Sequence, residues 1–183
     1  MCEMCISPGE GCTGLAHPCG THEDACLTIV GTNSLGGSST VETLKTCVAA
    51  EDCYAGSISI TTNAGLHLES ISSCCQDNLC NRRELNLPPV NLTSNGLECP
   101  VCFVFGSDHC QGTEFLSCTG VASHCITVSG TLQAGSLPSL FVARGCSTET
   151  ACALPLGRGL YSTGVVYNLN RVECNLASKA KNG

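Results

Sequence analysis

Eighteen cysteines in 183 residues invite three chemistries: pairing as disulfides, holding a metal as thiolates, or cycling as a redox couple. Their spacing separates these. Cys19, Cys26, Cys47 and Cys53 recur as Cys118, Cys125, Cys146 and Cys152, each displaced by 99. Cys2 and Cys5 recur as Cys99 and Cys102 (offset 97), Cys12 as Cys110 (98) and Cys74 as Cys174 (100). Cys2-x-x-Cys5 and Cys99-x-x-Cys102 look like halves of a zinc ribbon. A ribbon needs a second such pair about 15–20 residues on, and neither copy supplies it. A thioredoxin-like pair needs a βαβ setting, which the surrounding pattern does not provide. Disulfides therefore take the reading, the even count fits complete pairing, and no metal or cofactor is expected.

Composition agrees. Aromatic residues make up 4 % of the chain and Trp is absent, so two modules of roughly 90 residues each are poor in large core side chains. Domains of that size gain much of their stability from cross-links, each adding about 2–4 kcal/mol by restricting the unfolded chain. Such density belongs to an oxidising compartment, and the expected location is secreted and extracellular. Met1 leads directly into Cys2, read as a mature secreted product with an initiator methionine. No apolar run reaches the length of about 20 residues that a membrane span needs. Residues 177–183 show no hydrophobic tail of a lipid-anchor signal, although a native anchor stays open.

The net charge of −7 is unevenly placed. Residues 1–81 set nine acidic side chains against Lys45, residues 82–98 balance, and residues 99–183 carry an excess of one base. Nucleic acid and anionic membrane, which reward basic patches, are poor partners. The acidic first module either serves solubility or steers a basic protein ligand.

The cysteines must be positioned by hairpins. Leu27–Val30 precedes a turn at Gly36-Gly37-Ser38-Ser39, and Val41–Thr46 returns with β-branched residues alternating with polar ones. Ser57–Thr62 turns at Asn63-Ala64-Gly65 and returns through Leu66–Ile71. In the second copy, Ile126–Val128 leads to a tip at Gln133–Ser136 and Leu140–Val142 returns. Gly157-Arg158-Gly159 then precedes strand-like Gly164–Asn168. No sustained 3.6-residue period appears, so helix should be scarce. The expected layout is a ten-cysteine domain over 1–81, a linker over 82–98 and an eight-cysteine domain over 99–183. Pro88 and Pro89 favour an extended linker. Asn91-Leu92-Thr93 within it is the single standard N-glycosylation acceptor of the chain.

The segment Cys74-Cys75-Gln76-Asp77-Asn78-Leu79-Cys80-Asn81, preceded by eight cysteines in order, resembles the three-finger domain of the lymphocyte-antigen and urokinase-receptor family. The whole chain resembles the gamma-type phospholipase A2 inhibitors: ten cysteines, a proline-containing linker, then eight. The stretch Asn91–Pro100 is similar to that group's interdomain segment. The resemblance implies an all-β, disulfide-rich fold of two tandem three-finger domains. It further implies the pairs Cys2–Cys26, Cys5–Cys12, Cys19–Cys47, Cys53–Cys74 and Cys75–Cys80, with Asn81 hydrogen-bonding backbone at the base. For the second module it implies Cys99–Cys125, Cys102–Cys110, Cys118–Cys146 and Cys152–Cys174. The last bridge of the first module has no counterpart there, so a looser C-terminal edge is expected.

Enzyme signatures fail. Gly9-Glu10-Gly11-Cys12-Thr13-Gly14 matches a nucleotide-binding glycine pattern in letters only, because neither the strand before it nor the helix after it is expected. Secreted phospholipases A2 carry Cys-Cys-x-x-His-x-x-Cys; here Asn78 stands at the histidine position and one residue fewer precedes Cys80, and without that base hydrolysis by the known mechanism is not available. His17, His22, His67, His109 and His124 show no regular ligand spacing. The chain therefore reads as a non-enzyme whose expected partner is an extracellular protein, a secreted phospholipase A2, blocked by steric occlusion. The alternative is a receptor-like or adhesion ectodomain, or a carrier of other secreted toxins or peptides. Two segments are candidates for partner binding. One is the linker run Leu85, Leu87, Pro88, Pro89 and Val90, which is pre-stiffened by proline. The other is the finger tips, especially the apolar stretch Leu137-Pro138-Ser139-Leu140-Phe141, with Leu137, Pro138 and Phe141 foremost, and Phe103-Val104-Phe105. Each equally suits packing: the linker as a spacer, the tip against a neighbouring module or a second copy in a homo-oligomer.

Overall fold

The computed structural model describes residues 1–34, 40–63 and 66–181; the expected tip at Gly36–Ser39 and residues Ala64 and Gly65 of the next turn lie outside them. The β-branched runs form antiparallel strands: β1 (Cys2–Pro8), β2 (Leu15–His17), β3 (Ala25–Asn33), β4 (Val41–Val48), β5 (Gly56–Asn63) and β6 (Leu66–Cys75). The second copy gives β7 (Ser94–Phe105), β8 (Glu114–Thr119), β9 (His124–Gln133), β10 (Pro138–Ser147), β11 (Gly159–Ser162), β12 (Val165–Leu176) and β13 (Ser178–Lys179). Helix among the described residues is confined to 3-10 turns at Ala50–Asp52, Cys80–Arg82 and Glu149–Ala153. All nine disulfides join the cysteine pairs named above.

The chain divides into two compact units, one of Met1–Ser57 with Glu69–Pro88, the other of Ile58–Leu68 with Pro89–Gly183. In the first, strands run in the order β2-β1-β4-β3-β6. β3 is buried along its whole length because it has a strand on each side. Cys2, Cys26 and Cys47 form a buried cluster against Cys19, Cys75 and Cys80, so sulfur supplies the core that aromatic rings supply elsewhere.

In the second unit the order is β8-β7-β10-β9-β12-β11. Residues 58–68 belong here through β5, where Ile60 and Thr61 pair with Ser147 and Cys146 at the base of β10. Gly145 permits this approach: a Cβ there would lie 1.9 Å from the Thr61 carbonyl oxygen. Ser94–Glu98, expected as linker, is the first part of β7, leaving only residues 83–93 without regular structure between the two copies.

The expectation of a loose C-terminal edge is corrected. β13 pairs Ser178 and Lys179 with Glu98 and Leu97 of β7. Ala177 and Ala180 donate to the carbonyls of Ser123 and Gly96 at 2.9 Å each. Backbone ladder closes the edge that a fifth bridge closes in the first copy.

Candidate partner interface

The tip of the β9–β10 hairpin is the site that strand alternation exposes most clearly. Side chains of a strand point alternately to opposite faces, so a one-residue difference decides between core and solvent. Phe141 pairs with Gly130 and Leu140 with Thr131. Phe141 therefore faces inward, 1 % exposed, whereas Leu140 faces outward at 45 %. On β12, Tyr167 is buried while Val166, paired with Gln133, is 43 % exposed. The outer face near the tip thus presents Pro138, Leu140 and Val166, interleaved with Thr131, Gln133 and Asn168. Leu137 stands beyond them, 80 % exposed, in the turn itself. Gln133 Nε2 donates to the Gly135 carbonyl at 3.0 Å and helps fix the turn.

The other face carries a row of aromatic rings, buried at Phe141 and Tyr167 and open to solvent at Phe105, which is 55 % exposed. Phe103 and Phe105 meet edge to face at 4.7 Å, Phe103 stacks on Phe141 at 6.4 Å, and Phe141 meets Tyr167 at 5.6 Å. These rings cross from β7 through β10 to β12 over Gly130 of β9. Gly130 cannot be replaced without movement, since a Cβ would lie 2.0 Å from the Asn168 carbonyl oxygen. Phe141, one of the residues expected to touch a partner, is a support beneath the surface. Leu140 and Val166 take the outward positions. Leu140 lies within the apolar stretch expected from the sequence, whereas nothing there singles out Val166 as a contact.

The linker divides differently. Leu85 and Leu87 are half-buried, while Pro88, Pro89 and Val90 are exposed in the stretch without ladder bonds. Asn91 is exposed, and the Thr93 backbone N–H donates to its Oδ1 at 3.0 Å.

At the base of the first unit lies a group of polar residues that spacing did not reveal. Asn81 Oδ1 accepts from the Glu3 N–H and its Nδ2 donates to the Glu3 carbonyl, each at 2.9 Å. This is the backbone clasp expected of Asn81. Unforeseen is the partner above it: the Glu3 carboxylate accepts from Lys45 Nζ at 2.7 Å and from the Gly14 N–H at 3.1 Å, and both charged side chains are buried. The Lys45 hydrogen bond is the main influence holding the Glu3 carboxyl below its ordinary range, burial opposing it and the Gly14 N–H assisting. Gly14, the last glycine of the nucleotide-like pattern, is there for space, because a Cβ would lie 1.8 Å from the Met4 carbonyl oxygen.

Three clusters of sulfurs close enough to hold an ion, around Cys2, Cys26 and Cys99, consist of atoms already joined in disulfides and offer no thiolate.

Comparison with known proteins finds relatives that are named phospholipase A2 inhibitors. Residues 1–82 match the family model described as "Phospholipase A2 inhibitor", and residues 95–177 match that of the "u-PAR/Ly-6 domain". The phospholipase A2 inhibitor 25 kDa subunit of Naja kaouthia is 31 % identical over 161 residues, covering 84 % of this chain and 82 % of its own. A phospholipase A2 inhibitor gamma subunit of Gloydius brevicaudus siniticus is 28 % identical over 178 residues, covering 94 % and 85 %. The phospholipase A2 inhibitor PIP of Malayopython reticulatus is 29 % identical over 182 residues, covering 97 % and 87 %.

Proposed function

The chain belongs to the gamma-type phospholipase A2 inhibitor family, built from tandem u-PAR/Ly-6 domains, and from that premise we propose that it is a secreted inhibitor of soluble phospholipase A2. It acts by occlusion, with no chemistry of its own. The observation that carries the reading is the near full-length match to named inhibitors.

The contact we assign is the outer face of the β9–β10 tip: Leu137, Pro138, Leu140 and Val166, with Thr131, Gln133 and Asn168 between them. Apolar side chains mixed with amides and a hydroxyl suit a protein surface, where each exposed apolar group gains by burial and each polar one retains a partner. The aromatic row beneath fixes the backbone, so little conformational entropy is lost on docking. The exposed ridge Pro88-Pro89-Val90 supplies a second contact of the same low-entropy kind, with Leu85 and Leu87 anchoring it.

Titration of the protein against basic and acidic secreted phospholipases A2, with hydrolysis of micellar lipid as readout, tests the function. No inhibition of any of them sinks it. Leu140→Asp and Val166→Asp place charges on the contact face without entering the core. Each should weaken inhibition by at least tenfold, the size expected of an interface anchor, while leaving thermal unfolding unchanged. Unaltered inhibition in both would move the contact elsewhere.

A further inference from the structure

We propose that Asn91 carries an N-linked glycan whose first sugars cover an apolar patch that the fold otherwise leaves in water. The inference rests on the secretory passage contained in the function proposed above, and adds a modification and its purpose.

Four observations place it. Asn91-Leu92-Thr93 has the required side chains, amide and hydroxyl two residues apart. All three residues are exposed and lie outside any strand, so a transferase reaches them without unfolding a ladder. The Asn91 Oδ1 is taken by the Thr93 N–H at 3.0 Å, which holds the side chain in one orientation. Among the described residues, Nδ2, the atom that is glycosylated, donates no hydrogen bond.

The surroundings supply the reason. Asn91 lies against the turn at Gly120: a Cβ built there would be 3.4 Å from the Asn91 Cβ, and the Gly120 N–H donates to the Thr93 carbonyl at 3.0 Å. Asn95 Nδ2 clamps the same turn from its other side, donating to the carbonyls of Gly120 and Ala122 at 3.1 and 2.7 Å. Next to this clamp in sequence stand Leu92, 79 % exposed, and Val121, 82 % exposed. Both are apolar, held on fixed backbone and uncovered. A glycan rooted on Asn91, which precedes Leu92 in the chain and lies against the glycine preceding Val121, shields both, as bulky hydrated sugars shield apolar surface elsewhere.

The donor is a polyprenyl-diphosphate-linked oligosaccharide. A bond forms between Asn91 Nδ2 and the reducing-end C1, the C1–oxygen bond to the diphosphate breaks, polyprenyl diphosphate leaves, and the amide proton passes to solvent.

Translation of the full chain behind a secretory leader into microsomes tests the first half. One step up in apparent mass on the gel is expected, removed by an amide-cleaving glycosidase, absent in Asn91→Gln and Thr93→Ala, and retained in Thr93→Ser. No step in the wild-type chain overturns the proposal. Disulfide mapping and phospholipase inhibition by the same material are separate readouts, so a chain that is bridged and inhibitory but unmodified refutes the glycan and leaves the inhibitor reading intact. For the second half, enzymatic deglycosylation should raise apolar-dye fluorescence at least twofold, and Leu92→Ser with Val121→Ser should abolish that rise. An unchanged signal after deglycosylation overturns the shielding role.

Discussion

At the scale of single residues, the Glu3–Lys45 pair sets the sharpest prediction. Removing two charges from water is costly, and only their mutual attraction and added hydrogen bonds offset it; removing one partner leaves the other buried and unpaired. Lys45→Met should therefore destabilise the first unit by about 3–5 kcal/mol, whereas Glu3→Leu with Lys45→Met should recover much of that loss. Urea denaturation of the three proteins measures it. The same pair sets an acid limit. The Glu3 carboxyl is held below its ordinary value by Lys45, so as pH falls the unfolded chain binds the proton first. The stability contributed by the pair is whole above about pH 4.3, the ordinary glutamate value, and is lost as pH drops through the lowered folded value. Wild-type urea midpoints should fall across that window, and those of Glu3→Gln should fall less.

At the scale of elements, β13 does in the second unit what the Cys75–Cys80 bridge does in the first. Truncation after Leu176 removes the donors Ala177 and Ala180 and the pairing with Glu98 and Leu97. At about 0.5–1.5 kcal/mol for each net hydrogen bond, the loss should be roughly 1–4 kcal/mol, seen as a lowered melting temperature. Amide exchange at Glu98, paired with Ser178, should accelerate most, since the Gly96 and Leu97 amides donate to Ser94 Oγ and Asn95 Oδ1 instead; unchanged exchange at Glu98 would deny β13 its role. This element also marks the limit of what spacing conveys. The hairpins were legible because β-branched residues alternate between cysteines, and Asn81 because its motif is distinctive. β13 was not, since Ser178 and Lys179 have no strand character of their own and pair because β7 offers an edge. Phe141 was misread for a related reason: composition marks the tip as apolar, but only register decides which apolar residue faces out. Glu3 and Lys45 stand 42 positions apart and nothing local couples them.

At the scale of the whole molecule, the buried pair sharpens the meaning of the charge. Lys45 is the single lysine or arginine of residues 1–81 and it is spent inside against Glu3, so the remaining eight acidic side chains of that stretch, none of them buried, give the first copy an acidic surface. A field of that kind raises the encounter rate with a basic partner and does little for a docked complex, where short-range contacts govern dissociation. The Debye length falls from about 30 Å at 0.01 M salt to about 10 Å at 0.1 M. Association with a basic phospholipase A2, followed by stopped flow, should therefore slow severalfold over that range while dissociation stays nearly constant. Glu10→Lys with Asp77→Lys, both at exposed positions, should flatten the salt dependence without changing thermal stability. Steering predicts both effects together. If the acidity serves solubility alone, the association rate is indifferent to salt and to these substitutions, and the double variant instead precipitates at lower protein concentration.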